Sequence, residues 1–319
     1  MKNKLKTLLA LLLVAVMALS VVACDTTDIK DIEGDTSGDI KDVISDGNNE
    51  TIDGNDSSQE SNTDSDTDVE EAVPSIEEKI LFEYYGLVVT AKEIVDNTIW
   101  GAGIKVHIEN NSDKDYSIGV EQAIVNNCMI TNLFSCTVAS SKKANDTIYL
   151  SSSDLKASGI DNIGQVELYF YVYDPTTYER IYESDCITIK TSDYETMDTT
   201  VENAGYTLYN DNDIEIVGKY VDEYKLLGKA IVLYIVNNRE ENITISCDDM
   251  SINGYMVTPF FSSTVYSGKY AIDEITILST DLEENDITEI EKFALKFRAY
   301  NSDTYQTIVT TEELSFSAK

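Results

Sequence analysis

Residues 166–173 read Val166-Glu167-Leu168-Tyr169-Phe170-Tyr171-Val172-Tyr173. The aliphatic residues and Phe170 fall on every second position, and polar or amphipathic residues fill the places between. In an extended chain successive side chains point to opposite faces, so a period of two marks a strand with one face in a core. A helix would space its apolar residues three and four apart instead. Ile104, Val106 and Ile108 alternate in the same way with Lys105, His107 and Glu109.

The pattern occurs twice. Moving the sequence 127 positions along itself lays residues 101–178 on 228–305 without a gap. Asn110-Asn111 then falls on Asn237-Asn238, Phe134-Ser135 on Phe261-Ser262, Asp154-Leu155 on Asp281-Leu282, and Thr177-Tyr178 on Thr304-Tyr305. This is an internal duplication. The copies are expected at 76–191 and 204–319, joined by the short acidic stretch 192–203, each long enough to hold its own core. Asn126-Asn127 and Asn253-Gly254 sit between apolar runs and suit the positive φ of two-residue hairpins. Residues 154–159 are expected to add one helical turn. Short strands with a turn signal every ten or so residues predict an all-β chain of two tandem immunoglobulin-like β-sandwich domains, without the Cys-Trp-Cys signature of antibody domains.

The start of the chain gives an address. Lys2, Lys4 and Lys6 precede an apolar run from Leu8 to Val22, the layout of a signal peptide over residues 1–23. The run ends in Val21-Val22-Ala23-Cys24, which resembles the lipobox of bacterial lipoproteins, in which the chain is cut before the cysteine and its thiol carries diacylglycerol. Multiple acyl chains on Cys24 would give a stable anchor where one chain would not, leaving the protein on the outer face of its membrane.

Residues 24–75 are expected to be a disordered acidic linker. Between Asp25 and Glu71 there are 17 Asp or Glu against Lys30 and Lys41, and no aromatic residue, too little apolar surface to order a chain. The alternate carboxylates of Asp31, Glu33 and Asp35, or of Asp64, Asp66 and Asp68, begin like a calcium loop. Thr36 and Val69 stand where the required glycine would be, so no metal site is expected. The formal net charge of −35 excludes nucleic acid as a partner, since phosphates need Lys and Arg.

Lipobox, acidic stalk and Asn-Asn and Asn-Gly turns together resemble clostridial-type (Firmicute) cell-surface lipoproteins with tandem Ig-like β-sandwich domains of unassigned function. That resemblance implies a fold and an address, and no chemistry.

The residues themselves supply little chemistry either. His107 is the single histidine, and by alternation it points away from the core face. It reads as a solvated strand residue rather than a general base, because no nucleophile motif accompanies it. One imidazole also rules out sites that need two or three. Four cysteines remain beyond Cys24, namely Cys128, Cys136, Cys186 and Cys247, and no pair recurs in the other copy. A Cys128–Cys136 bridge is left open by the spacing, and mostly buried, inert thiols are expected. Trp100 matches Leu227 and reads as core.

The clearest binding signal is Tyr169, Tyr171 and Tyr173, a row on the face opposite Leu168 and Phe170. Such a row offers stiff contact area with polar tips for an envelope or extracellular protein or a polysaccharide, unless neighbouring strands cover it. The expectation is therefore a non-catalytic binding or adhesion module of the cell envelope, with no cofactor. A structural spacer is the alternative, and an enzyme is third.

Overall fold

The computed structural model describes residues 73–97, 101–201 and 203–317. Cys24, the signal-peptide run, the acidic segment to residue 72 and Trp100 lie outside the described residues.

The first copy is a sandwich of two sheets. One has the order β1 (Lys79–Tyr84), β2 (Leu87–Asn97), β3 (Gly101–Asn110), β8 (Lys142–Leu150) and β6 (Asn132–Leu133). The facing sheet is built on β4 (Tyr116–Val125) and β9 (Gln165–Tyr173), which carry β5 (Cys128–Ile130), β7 (Ser135–Val138), β10 (Arg180–Glu183) and β11 (Ile187–Lys190) at their flanks. Helix α1 (Ser152–Ala157) follows β8, and its Ser151 cap accepts the amide of Asp154.

Every element returns 127 residues later. The second copy has β12 (Tyr206–Asp211), β13 (Ile214–Lys225), β14 (Gly228–Asn237), β19 (Lys269–Leu278) and β17 (Pro259–Phe260) in one sheet. The other holds β15 (Ile243–Ile252), β16 (Tyr255–Met256), β18 (Ser262–Val265), β20 (Lys292–Asn301), β21 (Thr307–Thr310) and β22 (Leu314–Ser317), and α2 (Ser279–Glu284) matches α1.

The alternation seen in sequence is the packing. Val166, Leu168, Phe170 and Val172 are all at most 1% exposed, as are Ile104, Val106 and Ile108, and Leu295 and Phe297 match them in the second copy. Each such side chain stabilises the fold by roughly 1.5–3 kcal/mol relative to leaving it in water.

The repeated asparagines are structural. Asn110 and Asn237 are buried, and each Nδ2 donates to two carbonyls, those of Lys114 and Val138 in one copy and of Glu241 and Val265 in the other. Asn126 (φ 47°) and Asn127 (φ 70°) make the β4–β5 hairpin, as Asn253 (φ 52°) and Gly254 (φ 88°) do for β15–β16, in the left-handed region such turns require. The side-chain oxygens of Asn126 and Asn253 also accept two backbone amides each, from Gly164 and Gln165 and from Glu291 and Lys292.

The copies share a sheet. Strand β5 pairs in parallel with β19, Cys128 beside Tyr270 and Met129 beside Ala271, and the amide of Tyr270 donates to the carbonyl of Asn127 at 3.1 Å. One eleven-stranded sheet results, running β10-β9-β4-β5-β19-β14-β13-β12 with β7, β11 and β17 attached. Each copy keeps its own core, yet Tyr234 and Tyr270 pack into the first and Ile124 and Met129 into the second. Lys269 Nζ crosses the joint to Glu167 at 2.7 Å and to Asn127 Oδ1 at 3.0 Å. The segment after β11 is anchored too. Ser192 bonds back to Ser75, Met197 lies over Gly164, and Val201 packs on the first core.

Candidate functional site

The tyrosine row is spread over three different environments. Tyr169 meets Tyr266 of the second copy edge-on, with ring centroids 4.9 Å apart. Tyr171 lies over Gly119, where a Cβ would meet its ring at 2.3 Å, while the Arg180 guanidinium caps the ring 4.3 Å from its centre. Tyr173 stacks on Tyr171 at 6.0 Å and on Tyr178 at 6.3 Å. The Tyr173–Tyr178 stack returns as Tyr300–Tyr305 at 6.2 Å. All three side chains of the row are half-buried, and burial pushes the hydroxyl pKa of Tyr169 and Tyr171 upward.

Tyr171 has a second role, because it walls a groove. Between β6 and β7 the chain crosses from one sheet to the other, with Phe134 at the corner, and a shallow concavity of about 570 Å³ opens along this seam. Residues 132–135 form one side, Asp146, Thr147 and Tyr149 of β8 the other, and Val120 and Tyr171 close it. The second copy has the same concavity, about 540 Å³, between residues 259–262 and Asp273, Glu274 and Thr276 of β19.

Several features of the groove are common to both copies. Phe134-Ser135 corresponds to Phe261-Ser262, and Asp146 to Asp273. The two aspartates are held alike, each accepting the amide of the next residue at 2.7 Å, from Thr147 and from Glu274. A donor from the crossing strand faces each carboxylate, Cys136 in the first copy and Ser263 in the second. An apolar side chain also stands at each rim, Leu133 at 59% exposed and Phe260 at 71%. Burial raises the Asp273 carboxyl above the usual range, opposed by its bonds to Ser263 and the Glu274 amide. Lys225 pairs with Glu274 at 2.6 Å.

Other candidates from the sequence fall elsewhere. His107 is half-buried on β3 and bonded to Asn145 at 2.7 Å and Glu109 at 3.2 Å. Cys128, Cys136 and Cys247 are buried free thiols, pushed by burial to about 11, about 12 and about 12, and Cys186 is exposed. Among the described residues no group of three or more His, Cys, Asp or Glu is placed to hold a metal ion.

No protein-family model matches this chain, and no curated protein matches it. Solved structures similar to it include the YadV chaperone, at 10% identity over 71% of this chain and 98% of that one, with a TM-score of 0.25. The Salmonella enterica SafA pilin in complex with the SafB chaperone matches at 7% identity, 74% and 98% coverage and a TM-score of 0.24. A protein of unknown function from Porphyromonas gingivalis W83 matches at 10% identity, 67% and 89% coverage and a TM-score of 0.20. At such scores these likenesses carry no argument about what the chain binds. The all-β sandwich stands on its own strands.

Proposed function

We infer that this chain is a non-catalytic binding module of the cell envelope, lipid-anchored through Cys24 on the outer face of a membrane, with two copies of one binding groove. The observation that carries this reading is the recurrence of the seam groove. Duplicated sequences drift fastest where nothing constrains them, and here a rim side chain, a corner Phe, a Ser and a carboxylate occupy equivalent places twice. Core packing accounts for the corner and not for rim residues left 59% and 71% exposed. Tyr171 joins the groove of the first copy. Tyr173 stacks on Tyr171, while Tyr169 turns instead to Tyr266 of the second copy.

Two equivalent sites on one chain raise avidity by effective concentration, without new contacts. The test is capture from detergent-solubilised membrane and cell-wall fractions by the full chain and by a Leu133→Ser, Phe260→Ser variant. A component retained by the first and lost by the second supports the reading. Equal retention by both, or none by either, favours the spacer role. Palmitate labelling that disappears in Cys24→Ala tests the anchor separately.

A further inference from the structure

The lining of the two grooves narrows the ligand, an argument that rests on the binding reading above. We propose that each groove is a subsite for a neutral polysaccharide. No Lys or Arg is among the residues that line either groove. Lys225, which reaches the second one, is engaged with Glu274 and Asp222. Each groove instead presents a fixed carboxylate, Asp146 or Asp273, within a chain of net charge −35. Phosphate, sulfate or carboxylate polymers would be repelled on approach, and on arrival would meet only cations already paired, Lys225 with Glu274 and, over the Tyr171 ring, Arg180 with Glu121 and Glu183.

Neutral and cationic ligands remain. A basic peptide would satisfy the aspartates with one Lys or Arg side chain and leave most of a 540–570 Å³ concavity unfilled. A sugar chain fits the whole lining. Its hydroxyl edge matches Asn132, Thr147 and the carboxylate in the first copy, and Ser262, Thr276 and the carboxylate in the second. Its C–H face matches the exposed Leu133 and Phe260 rims. The aspartate is already oriented by the following amide, so little ordering is required on binding.

The test is native electrophoresis of the full chain, in detergent, through gels containing hydroxyethyl cellulose, xylan, galactomannan or soluble starch. The expected result is that at least one polymer slows the chain, measured against a non-binding reference protein. Leu133→Ser or Phe260→Ser alone should weaken the apparent affinity tenfold or more, because bivalency is lost, and the double variant should run with the reference. Both rims are exposed enough for the variants to fold, which circular dichroism checks. No retardation in any of the four gels, or retardation unchanged in the double variant, overturns the proposal. If capture from envelope fractions still depends on the rims while no gel retards the chain, the ligand class is wrong and the binding reading stands.

Discussion

Replacing Glu167 by Met should loosen the joint between the copies. The carboxylate is 9% exposed and the Lys269 ammonium 16%, and they meet at 2.7 Å. Removing one member of a buried pair leaves the other charge uncompensated, typically at a cost of about 3–5 kcal/mol. Lys269 would keep the side-chain oxygen Oδ1 of Asn127 at 3.0 Å, which places the loss at the lower end, about 3 kcal/mol. Over a body of this size that is roughly 6–12 °C in Tm. Lys269→Met should cost less, about 2 kcal/mol, because Glu167 retains the Gln165 amide at 2.6 Å. The paired change Glu167→Met with Lys269→Met removes both charges and should recover most of the loss. The assay is urea unfolding followed by circular dichroism on wild type, both single variants and the double. The reasoning predicts a coupling of at least about 1.5 kcal/mol and a second transition in the single variants as the copies uncouple. A coupling below about 0.5 kcal/mol with one unbroken transition would show that the pair is ornamental to the joint.

Gly119→Ala should destabilise by about 1–3 kcal/mol, since the new methyl meets the Tyr171 ring at 2.3 Å, and Tyr171→Ala should relieve it in a thermal-melt comparison. Asn237→Leu should cost about 2–3 kcal/mol in denaturant unfolding by stranding the carbonyls of Glu241 and Val265, whereas Asn238→Leu nearby should not. Because burial raises the Asp273 carboxyl in the fold, folding disfavours its charged form, so its contribution is fully present below the unfolded carboxyl pKa and is lost as pH rises through the folded one. Asp273→Asn should therefore be more stable than wild type at pH 7 and equal to it near pH 3, by denaturation at both, and a gain that persists at pH 3 would contradict that assignment. Iodoacetamide should label Cys186 in the native protein and reach Cys128, Cys136 and Cys247 after unfolding, by mass spectrometry of digests.

The sandwich was legible because its information is local. Alternation over Val166–Tyr173, the Asn126-Asn127 and Asn253-Gly254 turns and the helical turn at Asp154 each need fewer than ten residues to read, and a gapless duplication doubles every signal. The joint was hidden for the opposite reason. It pairs Cys128 with Tyr270 across the whole domain order, through a strand of three apolar residues, too short to show a period. Nothing in Glu167 or Lys269 taken singly announces a partner. The groove was half visible. Phe134-Ser135 on Phe261-Ser262 marked the duplication. Asp146 and Asp273, equally matched, stand on the parity that Ile148 and Leu150 use for the core. A carboxylate kept twice on a core parity was the available clue, and its meaning needed the seam between sheets to be seen. The tyrosine row showed the limit of facing alone, since Tyr169 does leave its own core and is met there by the neighbouring copy.

The parallel seam of β5 and β19 has a mechanical meaning for whatever the grooves hold. Copies strung on a slack tether would let two grips settle at any separation. Fused through one sheet, these two keep a set gauge, like the jaws of a caliper. If the grooves take a polymer as proposed, one whose units fall in step with that gauge would engage both, while one out of step would engage a single jaw and slip. Selectivity for repeat length can thus be written into the fold itself, apart from any side chain that touches the ligand.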